Sequence, residues 1–375
     1  MATHGEAVEA KPALNDDVLT EILLRLSSLS VLRSRAVCRA WRALTSTLAF
    51  VAAHARRRPL ELISQHQMSA ASSLYTIPLA TLDEEKRRCL DPGHPPDPAA
   101  AADARRDEAM GPGHRLIACC CDDDGLLLYE HCPGGYPHYL VCNPVTRQWT
   151  AVPAPSSGKL TLPCGFYLHE PTGEHRILFL TNDVESGGIG YSASHFVRSL
   201  EAAETRGLGP ASEALHVMDP LGWYYRRTFH WLNHPEAKED AGDGIFLAFD
   251  TVAETFRQMR RPTPARTKWD RLFLMEMDGM LAMTAASRDV MDLWVLEDYS
   301  KDDAWTYRLR IDLPTTMMTA DCAINVEPDV LLLVDFPNRS LGLYHLTEKR
   351  VLKEIQLRAR ARLVFRDSLQ RHAFF

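Results

Sequence analysis

From about Pro59 onward the chain shifts to a period of two, in short runs rich in aliphatic and aromatic residues that Gly, Pro, Asn and Asp punctuate. LYTIPL, RLIACC, GLLLYEH, YLVCNP, RILFLTN, GIFLAFD, RLFLMEM, DLWVLED, VLLLVD and SLGLYHL all put every second side chain on one face. That is the period of a strand, and so many short strands specify an all-β domain. Several runs end in the same kind of turn. A turn-starting residue (Asn143, Asp219, Asp250, His345) is followed six positions later by a large one that re-enters the core (Trp149, Tyr225, Phe256, Val351). Asp250 to Asp298 is 48 residues and Asp298 to His345 is 47, a period that fits a four-stranded propeller blade. Pro59 to Phe375 holds 317 residues, 286 of them outside the Pro-, Ala- and charge-rich segment Asp83–Gly113. At roughly 48 residues per blade the domain has about six blades. ARLVF (Ala361–Phe365) and LELIS (Leu60–Ser64) are the two runs that can pair to close the ring. The less regular earlier units leave a loose sandwich as the alternative. Glu108–Cys121 and Ser194–Thr205 read as helices among the strands.

The residues before Pro59 follow a different period. Leu14, Val18, Leu19, Ile22, Leu23 and Leu26 fall on one helical face. Asn15 is a good N-cap, Asp16 and Asp17 suit the positive end of the helix dipole, and Leu14 and Leu19 can form a hydrophobic staple. A second helix, capped by Ser30, carries Leu32, Ala36, Val37, Ala40, Trp41 and Leu44, with Arg33, Arg35, Arg39 and Arg42 pointing elsewhere. A third covers Ala49–Arg57. Three short helices need fewer large apolar residues than this, so part of the surplus is expected to meet another surface. Leu14–Arg58 contains eight Arg against three Asp or Glu, whereas the whole chain is −7, so a basic module precedes an acidic one.

LNDDVLTEILLRLSSLSVLRSRAVCRAWRALTS resembles an F-box along its whole length, on Leu14, Asp16, Asp17, Leu19, Ile22, Leu23, Leu26, Leu32, Arg33, Val37, Cys38, Arg39, Trp41, Arg42 and Leu44. Asn15 and Ser27 stand where that family commonly has Pro. VCNPVTRQW, DLWVLEDYSKDDAWTYRLRI and LVFRDSL resemble the kelch-like domain associated with the F-box in plant proteins. The resemblance implies an α+β multidomain chain: a small N-terminal three-helix F-box, residues 14–58, and then an all-β propeller of about six blades, residues 59–375. Residues 1–13 are expected to form a disordered tail and 83–113 a flexible loop. It implies further that Leu14, Val18, Leu19, Ile22, Leu23, Leu26, Leu32, Val37, Cys38, Trp41 and Leu44 bind a Skp-type adaptor, and through it a cullin–RING ubiquitin ligase, while the propeller holds a target protein. Trp41 is the first choice for an energetic anchor, although it could instead brace the helices.

The remaining motifs supply no chemistry. CDDDGLLLYE breaks the acidic alternation of a calcium loop at Leu126 and reads as a tight turn. SSGK lacks the flanking residues of a phosphate loop, and GYSAS is not a nucleophile elbow. Cys119, Cys120 and Cys121 would alternate faces in a strand and so could not converge on one metal. No catalytic residue, metal or cofactor is expected, and the alternatives are a propeller-fold enzyme or a non-degradative scaffold. The acidic balance argues against nucleic acid, and Val330–Val334, the longest aliphatic run, is too short for a membrane span. Nine cysteines behind an N-terminus with no apolar core point to reduced thiols in cytoplasm or nucleus. DVESGGIGYSASHF and HPEAKEDAGDG read as long loops at blade ends.

Overall fold

The computed structural model describes residues 15–375 except 68–71, 91–113, 122–123, 132–137, 153–159, 183–192, 211–221, 233–243, 263–270, 288, 302, 321, 336 and 358–360. Asp219, the 1–13 tail, the Leu14 staple and most of the expected loops lie outside the described residues.

Four helices come first: α1 Asp16–Arg25, α2 Ser28–Ser34, α3 Arg39–Thr45 and α4 Leu48–Arg56. Asn15 caps α1 as expected, its Oδ1 accepting from the Asp17 N–H at 3.2 Å. The long second helix is a correction. It divides into α2 and α3 over Ala36–Cys38, and Cys38 Sγ caps α3 by accepting from the Trp41 N–H at 3.4 Å. Ser27, not Ser30, caps α2. Arg35 turns inward at the break: Nη2 donates to the Thr45 carbonyl at 2.7 Å and Nε to Thr45 Oγ1 at 3.3 Å, while Arg42 Nε donates to the Arg35 carbonyl at 3.0 Å. This polar brace bends the chain where periodicity alone would continue a helix, so the unit has four helices and not three.

Six four-stranded antiparallel sheets follow. Blade 1 contains β1 Glu61–Gln67, β2 Ser72–Pro78 and β3 Arg88–Leu90. Blade 2 is β4 His114–Cys119, β5 Leu127–His131, β6 His138–Asn143 and β7 Gln148–Val152. Blade 3 is β8 Leu160–His169, β9 Glu174–Asn182, β10 Ala193–Ser199 and β11 Thr205–Pro210. Blade 4 is β12 Trp223–Tyr225, β13 Thr228–Leu232, β14 Ile245–Asp250 and β15 Thr255–Arg260. Blade 5 is β16 Arg271–Met277, β17 Met280–Ser287, β18 Val290–Leu296 and β19 Trp305–Asp312. Blade 6 is β20 Cys322–Glu327, β21 Val330–Asp335, β22 Ser340–His345 and β23 Arg350–Gln356. The last strand, β24 Ala361–Phe365, returns to blade 1 and pairs with β1 through Glu61↔Phe365 and Leu62↔Val364, so the ring closes through the two runs the sequence picks out. The innermost strands meet around the axis, β4 against β24 and β8, and β16 against β12 and β20. The outer strands β15, β19 and β23 are largely exposed.

The repeated turn has one geometry. Asn143 Oδ1 accepts from the Val145 and Thr146 N–H groups, and Asp250 Oδ1 from those of Val252 and Ala253. Asp298 Oδ1 takes the Ser300 N–H, and His345 Nδ1 takes that of Glu348. Arg147, Glu254 and Lys349, each four residues past the turn-starting residue, have φ of 57°, 51° and 51°. The side chain replaces a backbone partner and the left-handed residue reverses the chain. These turns, the first-to-second-strand turns and the start of β1 all lie at one end of the ring, so α4 enters at that end.

Three sequence expectations give way. Ser194–Thr205 is not helical, because Ser194–Ser199 pairs with β9 on one side and β11 on the other. His114–Cys119, within the other expected helix, is β4. Residues 84–90, expected within a loop, form a 3-10 turn and β3. Leu90 is buried opposite Leu74, and Arg88 is fixed by carboxylates, so two anchored residues override a polar composition.

Residues 366–375 continue from β24 beneath blade 2. Arg88 clamps Asp367 with two bonds of 2.8 Å and Glu61 with one of 2.5 Å, and Asn143 Nδ2 donates to the Ser368 and Gln370 carbonyls at 3.2 and 3.3 Å. Gly125, with φ of 65°, passes so close that a Cβ there would lie 2.8 Å from Ser368 Cβ and 2.9 Å from the Arg366 carbonyl oxygen. Gly125→Ala is expected to cost about 3 kcal/mol from left-handed strain plus overpacking, read as a lower midpoint in urea.

Two buried histidines set an acid limit. His230 donates through Nδ1 to the Trp223 carbonyl at 3.2 Å, and its Nε2 lies 2.7 Å from the Tyr299 hydroxyl, which can donate to the neutral ring. Burial, which disfavours the cation, pulls its pKa down to about 3, and burial likewise takes His195 to about 4. Unfolded histidine takes up a proton near pH 6.5, so the unfolded chain binds more protons below that value. Their contribution to stability is complete above pH 6.5 and is lost as pH falls toward 4 and 3. Chemical denaturation at pH 7.5 and 5 should give the lower stability at pH 5, and His230→Phe should flatten the difference.

Candidate functional site

The helices present two kinds of apolar residue. Leu19 and Leu23, expected on the docking surface, are buried in the chain's own core with Leu24, Val31, Phe50 and Val51. Leu26, Leu32, Trp41 and Leu44 are partly buried against the same cluster. An apolar stripe advancing by three and four is wide enough to serve two surfaces, and a four-helix unit must spend half of it on itself. Trp41 packs against this cluster with part of its ring still exposed. Val18, Ile22 and Val37 are 48%, 45% and 65% exposed, and Cys38 is exposed as well. Leu29 and Leu48, at 45% and 81%, belong with them but were not among the expected site residues. Each follows a cap or a turn, where helical periodicity gives no face.

Val18 and Ile22 are one turn apart on α1, and their neighbour Glu21 takes two bonds of 3.0 Å from Arg57 of α4 and one of 3.2 Å from Arg25. The Arg57 bonds foremost, then Arg25, hold the Glu21 carboxyl below its usual range. This surface network orients α1 on α4 beside an apolar strip flanked by arginines. Underneath, His54 Nε2 donates to the Leu26 carbonyl at 3.0 Å and Arg58 Nη2 to the Leu24 carbonyl at 3.2 Å, which satisfies the end of α1. The helical core continues into blades 1 and 2 through Ile63, Leu74, Leu127, Tyr129, Val145, Phe365 and Leu369. The helices therefore share a core with the propeller.

A second constellation lies between blades 2 and 3, and sequence reasoning missed it. Cys120, Asp124 and His175 bring one ligand-type atom each within 4.8 Å of one another. His175, 3% exposed, lies between Asp124 on Nε2 and Glu201 on Nδ1, both at 2.8 Å. Burial alone would lower its pKa, but the bonds to Asp124 and Glu201 outweigh it and raise it to about 9. The residues come from different blades, and no spacing within one segment signals them.

A compact helical unit with unclaimed apolar residues, fused to a closed six-bladed ring, is the architecture of an F-box protein. The F-box domain model matches residues 12–51, and the model of the F-box associated beta propeller domain matches residues 109–327. The second match covers more than half of the chain, which belongs to that family. F-box protein At5g18160 of Arabidopsis thaliana is 20% identical over 307 residues, covering 81% of this chain and 72% of its own length. F-box protein At5g49610 of the same plant is 23% identical over 312 residues, covering 78% and 77%. Among solved structures, TolB from Acinetobacter baumannii is 10% identical with a TM-score of 0.45, covering 88% of this chain and 72% of its own. No helix among the described residues is long and apolar enough to cross a membrane.

Proposed function

We propose that this protein is the substrate-recognition subunit of a Skp–cullin–F-box ubiquitin ligase. The helices seat a Skp-type adaptor and the propeller holds a target protein. The observation that carries this reading is the apolar set Val18, Ile22, Leu29, Val37 and Leu48, left exposed by an F-box whose own core is already complete without it. Leu14, Leu26, Leu32, Cys38, Trp41 and Leu44 complete or support the contact, and Leu19 and Leu23 shape it from beneath. Full burial of each exposed aliphatic would contribute about 1.5–3 kcal/mol, less the several kcal/mol that association itself costs.

The chain's contribution to ubiquitin transfer is proximity. Holding a target near a conjugating enzyme raises the effective concentration of its lysines, which needs no catalytic residue here. The core shared by helices and propeller suits this role, because a rigid joint fixes the distance between adaptor and target. The test is affinity capture of the full chain with the proteasome blocked, beside a chain lacking residues 14–44. Adaptor and cullin should come down with the full chain only, and a protein stabilised by the block should come down with both. Adaptor recovered equally with the deletion would overturn the assignment.

A further inference from the structure

We propose that Cys120, Asp124, His175 and His372 form a structural zinc site that ties blade 2, blade 3 and the C-terminal segment together. Three of the four already converge, with Cys120 Sγ, a carboxylate oxygen of Asp124 and a ring nitrogen of His175 within 4.8 Å of one another. His372, on the returning chain, lies outside that cluster of three and would supply the fourth ligand. The His372 ring packs edge-to-face on His175 with centroids 4.6 Å apart, and its Nε2 is buried with no hydrogen-bond partner. His372 is 8% exposed, so an unmet ring nitrogen there is costly unless something binds it. One sulfur, two imidazole nitrogens and one carboxylate oxygen are the donor set of tetrahedral Zn²⁺ and suit neither Mg²⁺ nor Ca²⁺.

The surroundings fit the same assignment. Glu201 Oε1 lies 2.8 Å from His175 Nδ1, and its other oxygen accepts the His175 N–H at 2.8 Å. A carboxylate on the far nitrogen directs Nε2 at the metal and raises its basicity. Nε2 now faces Asp124 at 2.8 Å, so Zn²⁺ would take the place of the proton between them. Binding would release that proton and the one on Cys120. The three consecutive cysteines diverge, although not by strand alternation: β4 ends at Cys119, which packs on the cluster beneath the helices, while Cys120 enters the blade 2–3 cluster and Cys121 joins the blade 3–4 cluster. Only Cys120 serves the site. Phe374 packs on both His175 and His372, and Phe374 and Phe375 lie partly buried against the same cluster, so four protein ligands and an aromatic cover leave little room for a bound substrate. The site is therefore structural.

The experiment uses the full chain, purified without chelator or nickel resin. Elemental analysis should find roughly one zinc per chain, as a closed four-ligand site requires. Exchange into Co²⁺ should give tetrahedral d–d bands and a thiolate-to-cobalt band in the near ultraviolet. Cys121→Ser should keep that band and Cys120→Ser should lose it. Glu201→Gln should bind zinc roughly 10–100-fold more weakly. If Cys120→Ser does not fold, His372→Ala gives the same answer through loss of the d–d intensity. Full chain without zinc and without a cobalt spectrum overturns the proposal, as does a thiolate band that survives Cys120→Ser.

Discussion

A chain that stops before Ala361 is expected to lose cooperative unfolding altogether. The missing segment contains β24, the strand that closes the ring, and with it Phe365 and Leu369, 2% and 1% exposed. Losing a buried Phe or Leu side chain costs about 2–5 kcal/mol each. Removing Asp367 also leaves the partly buried Arg88 with one of its two carboxylate partners, worth up to about 3 kcal/mol more. Together these approach the 5–15 kcal/mol of an entire domain. An open ring also exposes β1 as an unpaired edge, so aggregation should accompany the loss. Thermal melts and limited proteolysis check this. Phe365→Ala, with the backbone strand still present, should keep a single transition and shift it downward. A truncated chain that melts like the full one would show that six blades hold together without the join.

The other large effect is on binding. Val18→Asp combined with Ile22→Glu is expected to weaken capture of the Skp-type adaptor by more than ~100-fold, about 3 kcal/mol, because two charges would be desolvated in an apolar contact. Both side chains are nearly half exposed, so folding should change by only about 0.5 kcal/mol. Leu23→Ala is the counterpart. Leu23 is 1% exposed, and its removal should cost about 2–5 kcal/mol of folding. Titration calorimetry with purified adaptor, beside urea melts, separates the two. Binding of the double variant at full affinity would place the adaptor elsewhere on the helices.

The features legible in the sequence are those written in local chemistry. The six blades follow from turn-starting residues spaced just under fifty apart, since each side chain caps its own turn, and ring closure follows from two strand-like runs at opposite ends of the domain. Contacts between distant segments were not legible. Arg35 breaks a periodic helix because Thr45 is there to receive it. Ser194–Ser199 is a strand because β9 and β11 flank it, although Phe196 and Leu200 keep a helical interval. Arg88 orders a charge-rich segment through Asp367, 279 residues away. The exposed apolar residues of the helices were half legible. The stripe on α1 showed that a surface existed, but which leucines turned inward depended on a core shared with blades 1 and 2. Cys120, Asp124 and His175 meet only through the packing of two blades.

The core beneath the helices draws Leu19, Leu23 and Phe50 from early in the chain and Phe365 and Leu369 from its far end. During translation the helical module therefore emerges onto an incomplete floor, which closes only once Phe365 and Leu369 have followed. A chain cut ahead of these two residues would hold its helices on a loosened platform. The adaptor contact proposed above would in this way depend on residues more than three hundred positions from the helices that make it.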